Sequence, residues 1–184
     1  MPRYIEVSEY QHDWPVRFKV ESDLIRGVFG LTVESIHHIG STSVPNMRAK
    51  PVIDILIVIK PDTPVEKFYP GMEKLGYDCR GECLNAPIPG TLGRYYFSKD
   101  VSGKRHSHVH VCHAGHFQIA ELLAMRDYLR THPEAAQEYG ALKSNLAQQF
   151  AYDNQGYMKG KDAYIKQLIS LAMAWHSNVG IKRK

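Results

Sequence analysis

A glycine–serine turn and an aspartate in the next apolar run are the residues whose spacing could do chemistry. Gly40 and Ser41 follow an apolar stretch that ends at Ile39, and Asp54 is the one carboxylate within Val52–Ile59. Such a turn can bring backbone N–H groups and a hydroxyl up to a phosphate, and a carboxylate can hold a hard divalent cation. The spacing therefore predicts a phosphate cradle that faces a metal ligand.

The sequence motif around these residues resembles that of a known superfamily. Nucleotidyltransferase-like proteins carry an apolar residue, Gly, Gly or Ser, a spacer, and then two acids separated by one residue; here Leu56 stands in place of the second acid. Within that superfamily the chain is similar to the GrpB family. The matching segments are Ile39-Gly40-Ser41-Thr42-Ser43-Val44-Pro45, Lys50-Pro51-Val52-Ile53-Asp54, Trp14-Pro15, His108-Val109-His110-Val111, Arg126 to Arg130, Tyr139, Lys143 and Tyr157 to Lys161.

The resemblance implies that a nucleotide or nucleotide-like phosphorylated small molecule binds in a cleft, with transfer of a nucleoside monophosphate to an acceptor as the associated activity. Transfer by two Mg²⁺ ions needs several anionic oxygen ligands. Because Leu56 removes one of them, a binding module without catalysis is the alternative, and enzyme activity stays open. The residues expected to bind phosphate or nucleotide are Gly40, Ser41, Thr42, Lys50, Arg130, Lys143 and Lys161.

A row of histidines forms the second chemically suggestive cluster. On an extended strand His106, His108, His110 and Cys112 share one face, because side chains alternate. Imidazole suits Zn²⁺, Mn²⁺ or Fe²⁺ better than Mg²⁺. Asp54, His108 and His110 are therefore the predicted catalytic and metal-binding set: they either complete a Mg²⁺ or Mn²⁺ site, or form a two-His, one-carboxylate transition-metal site in a hydrolase. Histidines that hydrogen-bond within the fold or bind phosphate as cations are the alternative.

Composition limits the class of protein. The chain has 184 residues, 43% of them hydrophobic, and a formal charge of +4. Residues 141–184 hold seven Lys and Arg against two Asp, which would draw a polyphosphate toward this region or would simply be a solvated helix face with a basic tail. Cys79 and Cys83 have a spacing that zinc sites use, but no second pair is evident, which favours structural thiols.

Partners and location follow from the same observations. No apolar run approaches the length of a membrane span, and the first residues lack the layout of a signal peptide, so we expect a cytoplasmic protein without membrane contact. We expect no nucleic-acid partner. Some relatives in the GrpB family are joined to dephospho-coenzyme A kinase, which implies a link to coenzyme A metabolism.

These residues require elements to position them, and the resemblance together with the periodicity predicts an α+β fold. We expect one nucleotidyltransferase-like domain over residues 1–184: a mixed β-sheet within about residues 30–115, helices packed on one side, and a helical part over about residues 116–176. The expected elements are a helix from near Asp13 to about Gly27, strands at Val33–Ile39, Val52–Ile59, 94–98 and 106–112, a helix at Val65–Leu75 broken near Pro70, and helices at Phe117–Leu129, Pro133–Phe150 and Lys161–Trp175.

Overall fold

The computed structural model describes residues 4–82 and 93–181, and side chains as far as residue 178. The chain divides into two compact units, and each is described by itself. The sheet unit comprises His12–Gly40 and Val52–Ile119; the helical unit comprises Met1–Gln11, Ser41–Pro51 and Ala120–Lys184. That the two units form a single domain stays a prediction.

The sheet unit is built on one mixed sheet. Within the described residues five strands pair in the order β1-β2-β5-β4-β3, and only β2 and β5 run parallel. The expected mixed sheet of an α+β fold is thus confirmed. The strands are β1 (Val33–Ile39), β2 (Ile53–Ile59), β3 (Tyr77–Glu82), β4 (Arg94–Val101) and β5 (Lys104–His113).

Strand β2 lies inside the sheet, between β1 and β5, as its apolar character on both faces predicts. Every residue of β2 except Asp54 is buried, and Leu56 is fully buried. The aspartate is therefore the single break in an apolar strand, and its position at the beginning of β2 brings it to an end of the sheet. The apolar residues of the strand stabilise the sheet, and Asp54 is its one polar side chain.

Two helices of the sheet unit pack on one side. Helix α1 (Trp14–Phe29) has a proline in its first turn and contacts β1 and β2. Helix α2 (Tyr69–Lys74) follows a 3-10 turn at Val65–Phe68, so the break expected near Pro70 is found at the beginning of α2. The strands of the β4–β5 hairpin are longer than predicted, because Ser102 and Gly103 both have positive φ and form a tight turn.

The helical unit contains most of α3 (Phe117–Thr131), together with α4 (Pro133–Gln149) and α5 (Asn154–Ile181). The last helix begins earlier than the predicted Lys161, because Asp153 Oδ1 accepts a 3.0 Å hydrogen bond from the N–H of Gly156 and caps the first turn. Tyr139 is buried in this unit. Across the described residues, no helix combines the length and apolar character that spanning a membrane requires.

Candidate functional site

The turn after β1 lies directly against the aspartate of β2. Gly40 has φ +68°, and a Cβ built on it would lie 2.3 Å from Asp54 Oδ2 and 3.0 Å from Asp54 Cβ. The antiparallel register pairs Ile39, the last residue of β1, with Asp54. A side chain at position 40 would therefore displace the carboxylate, and the expected proximity of turn and aspartate is confirmed.

Asp54 contacts the first histidine of the predicted pair. The parallel register places His108 beside Asp54, and His108 Nδ1 lies 3.0 Å from Asp54 Oδ1. Each of the two side chains is 28% exposed. Because the pair is hydrogen-bonded yet partly open to solvent, a ligand can reach it.

We call the side of the sheet that carries Asp54 the Asp54 face. By strand register it also carries His108, His110, Tyr96 and Arg94. The ring of Tyr96 lies 5.4 Å, between centroids, from each of the two imidazoles. The period-two prediction for His108 and His110 therefore holds, and Tyr96, which the sequence did not single out, lies beside both imidazoles on the neighbouring strand.

His110 has a different environment from His108. Its Nδ1 atom is buried, and among the described residues it has no hydrogen-bond partner. Burial lowers the pKa of His110 to about 4; the Asp54 charge opposes this shift, and the Arg94 charge adds to it less strongly. The imidazole is therefore neutral at pH 7, which argues against binding phosphate as a cation.

The metal set predicted from Asp54, His108 and His110 stays a prediction. Among the described residues, no three His, Cys, Asp or Glu side chains are arranged to hold a metal ion. Mg²⁺ is usually bound through one or two carboxylates together with substrate phosphates. The partly exposed Asp54 fits a site of that kind, in which the ligand supplies further oxygen atoms.

His106 belongs to another cluster. Its Nδ1 lies 3.7 Å from Glu21 of α1, and Glu21 also accepts hydrogen bonds from Tyr77 (2.7 Å) and Lys99 (2.9 Å). The hydroxyl of Tyr77 is 3.0 Å from that of Ser107, and burial, together with the Glu21 charge, raises the pKa of Tyr77. This network ties α1 to three strands, and His106 is part of it rather than of the Asp54 site.

Two of the predicted phosphate-binding cations hold the segment Ser41–Pro51 of the helical unit. Arg130 donates two hydrogen bonds to the carbonyl oxygen of Ser43, at 3.0 and 2.8 Å. Lys143 is only 3% exposed, and its ammonium donates to the carbonyl oxygen of Arg48. Both side chains thus have a structural role here, and their binding of phosphate stays a prediction.

The other two predicted cations meet at one aromatic ring. The ammonium groups of Lys50 and Lys161 lie 4.0 and 5.3 Å from the ring centroid of Tyr157. Tyr157 is buried, and burial raises its pKa to about 12. Lys50 also lies 3.5 Å from the side-chain oxygen of Asn154. Thr42 is buried as well, and the binding roles predicted for Ser41 and Thr42 are untested.

The cysteine alternative falls partly outside the described residues, because Cys83 is not among them. Burial raises the pKa of the Cys79 thiol to about 11. Zinc binding requires a thiolate, so a metal at Cys79 would have to displace the thiol proton.

Known proteins resemble this chain along most of its length. The family model described as GrpB protein matches residues 4–170. The UPF0157 protein YqkA of Bacillus subtilis is 41% identical over 173 residues, which are 94% of this chain and 48% of YqkA. A dephospho-CoA kinase of Mycolicibacterium paratuberculosis is 23% identical over 92% of this chain and 46% of its own length. The chain thus spans about half the length of these two relatives.

Solved structures show the same fold. A crystal structure of conserved protein GrpB from Enterococcus faecalis superposes with a TM-score of 0.85 at 35% identity and covers 93% of this chain and 99% of that one. The Cid1 poly(U) polymerase bound to Mg 3'-dATP gives a TM-score of 0.55 at 8% identity over 83% of this chain and 49% of that one. The second likeness concerns the fold alone. The chain belongs to the GrpB family and has a nucleotidyltransferase-like α+β fold.

Proposed function

We propose that this protein binds a nucleotide or nucleotide-like phosphorylated metabolite where the turn at Gly40 meets Asp54. The observation that carries the proposal is the contact between the main chain of Gly40 and the carboxylate of Asp54, within a nucleotidyltransferase-like fold. A glycine with positive φ lets backbone approach a ligand closely. Ser41, which follows Gly40 in the chain, would add a hydroxyl donor.

Charge determines how such a ligand would bind. The carboxylate of Asp54 and the oxygen atoms of a phosphate repel each other, so the ligand would bind as a complex with a divalent cation that neutralises the charge between them. His108 contacts one oxygen of Asp54, Oδ1, at hydrogen-bond distance, and the other, Oδ2, lies toward Gly40. Binding should therefore depend on Mg²⁺ or Mn²⁺ and on Asp54.

Transfer of a nucleoside monophosphate is the activity to test. An acceptor oxygen would form a bond to the α-phosphorus, the bond to the leaving pyrophosphate would break, and the acceptor would lose its proton to solvent or to a base. Leu56, buried in β2 at the position of the usual second acid, favours the second candidate, a module that binds without transfer. The hydrogen-bonded Asp54–His108 pair supports a third candidate, a metal-dependent hydrolase that uses Asp54, His108 and His110.

The binding test is thermal shift with nucleoside triphosphates in the presence of Mg²⁺ or Mn²⁺, since a ligand that binds the native state raises its stability. We expect stabilisation of the wild type and of Asp23→Asn, an exposed aspartate of α1 that serves as the matched control. We expect none for Asp54→Asn. Equal stabilisation of Asp54→Asn and wild type would show that Asp54 has no part in binding.

Activity assays separate the three candidates. Pyrophosphate release with a panel of acceptors identifies a transferase, and binding without release identifies the module. Metal analysis of the purified protein, compared between wild type and His110→Ala, tests the hydrolase, because only that candidate requires a resident transition metal at the histidines.

Relatives suggest which ligands to try first. The similarity to a dephospho-CoA kinase supports including dephospho-coenzyme A and coenzyme A in the panel, as phosphorylated metabolites that carry a nucleotide. A cytoplasmic location and a small-molecule partner rather than a nucleic acid are parts of the same proposal.

A further inference from the structure

Arg94 is a cation on the Asp54 face that the sequence did not single out. It is half-buried in β4, where the register places it opposite Cys112 and two residues from Tyr96, the partner of His110. Its Nε atom is buried, and among the described residues this atom has no hydrogen-bond partner. A buried guanidinium N–H without an acceptor is costly, more so because the group is charged.

His110 repeats this pattern on the neighbouring strand. Its buried Nδ1 also has no partner within the described part of the chain. His110 is paired with Tyr96 and Arg94 with Cys112, so the two residues are diagonal neighbours on the same face of adjacent strands. Two nitrogen atoms that can each donate a hydrogen bond thus lie unpaired on one face of the sheet.

Distance along the sheet separates Arg94 from Asp54, with His110 between their two levels. His108 is level with Asp54 and Cys112 with Arg94, so the two levels are four residues of β5 apart. At about 3.3 Å per residue, that separation is about 13 Å along the strand. The face therefore has a carboxylate at one level and a guanidinium at the other, and these two groups prefer ligands of opposite charge.

We propose that Arg94, with His110 beside it, binds an oxyanion, either a carboxylate or a phosphate, on the second substrate of this protein. A guanidinium forms paired, charge-assisted hydrogen bonds with either group. Only the assignment to a second substrate rests on the proposed function; the anion site itself stands on the unpaired nitrogen atoms. The acceptor would then be an anionic small molecule.

The test is a titration of the purified protein with inorganic phosphate and, separately, with acetate at constant ionic strength. Binding is followed through the imidazole signals of His110 by NMR, assigned with His110→Gln. Loss of a hydrogen bond to a charged group corresponds to roughly 10- to 100-fold in affinity, so we expect Arg94→Gln to weaken binding by at least about tenfold. Arg94→Lys keeps the charge without the planar fork, and we expect a smaller loss.

Arg105→Gln is the matched control, because it removes the same charge from β5 at a site already paired with Asp100. We expect the control to bind like wild type. Response to phosphate alone or to acetate alone identifies the anion, and either result supports the site. No response in wild type, or equal weakening by Arg94→Gln and Arg105→Gln, overturns it.

A final variant separates this inference from the proposed function. Phosphate binding that is lost in Gly40→Ala but kept in Arg94→Gln places the ion at the turn and overturns the Arg94 site. Anion binding that depends on Arg94 in a protein that binds no nucleotide supports the Arg94 site and overturns the proposed function. Circular dichroism of each variant confirms that it is folded before the titration is interpreted.

Discussion

Substitution of Gly40 by alanine tests the close approach on which the proposed site depends. Two costs add up at this position. A left-handed conformation costs a non-glycine residue about 1–2 kcal/mol. The new Cβ would lie 2.3 Å from Asp54 Oδ2, so the carboxylate must move, and forced repacking of this kind costs about 1–3 kcal/mol more. We expect Gly40→Ala to lower the free energy of unfolding by about 2–5 kcal/mol.

Gly103→Ala is the matched control for the first cost alone. Gly103 has φ +76°, but a Cβ there would meet nothing within 4 Å. We therefore expect Gly103→Ala to lower the free energy of unfolding only by the cost of the left-handed conformation, about 1–2 kcal/mol. Urea denaturation of both variants measures the difference, and equal losses would refute the steric argument.

A double-mutant cycle identifies the atom responsible. Replacing Asp54 by alanine removes the carboxylate oxygen that the new Cβ would meet, so Gly40→Ala should cost less in the Asp54→Ala background than in wild type. A coupling free energy of zero would mean that the turn relaxes without touching Asp54, and the nucleotide site would then lose its structural support.

Three further predictions concern the network, a buried histidine and a buried lysine. Tyr77→Phe removes a 2.7 Å hydrogen bond to the buried Glu21 and should lower the free energy of unfolding by about 1.5–3 kcal/mol; an unchanged urea midpoint would contradict this. Because the pKa of His110 is lowered to about 4 in the folded state, the unfolded state binds more protons between pH 6.5 and 4. His110 should therefore contribute a loss of about 2 kcal/mol in the free energy of unfolding from pH 7 to pH 5, and His110→Gln should remove this contribution in denaturation at the two pH values. Lys143→Met leaves a carbonyl oxygen unpaired and should cost about 1–3 kcal/mol without ligand, whereas the exposed Lys159→Met should cost little; a variant that loses nucleotide affinity at unchanged stability would instead favour a direct role in phosphate binding.

The parts of the fold that the sequence predicted are those whose signals are local. Strand β2 reads as buried on both faces because its apolar residues are continuous, and the histidines of β5 alternate with apolar residues. The turn at Gly40 follows from residue types that sit side by side. Each of these patterns lies within one strand or the turn that follows it. It can therefore be recognised without knowing which distant residues meet in the fold.

The parts that were missed depend on residues far apart in the chain. Tyr77 and Glu21 are 56 positions apart, and neither has a neighbour that indicates the hydrogen bond between them. The first turns of α5 contain Gly156 and Gly160, which weaken a helical pattern; Gly160 is accommodated because it packs against Leu146, where a Cβ would lie 2.5 Å from a methyl group. The place of Arg94 on the Asp54 face follows from the strand register, which the sequence alone does not show.

The order of the strands also affects when the Asp54–His108 pair can form during folding. Asp54 and His108 are 54 positions apart, and β3 and β4 lie between their strands in the chain. Pairing at such a separation requires closing a long loop before the contacts compensate for the lost entropy, which makes parallel ladders slow to form. A ribosome-bound chain that has not yet emerged as far as β5 would therefore carry the aspartate without its imidazole neighbour.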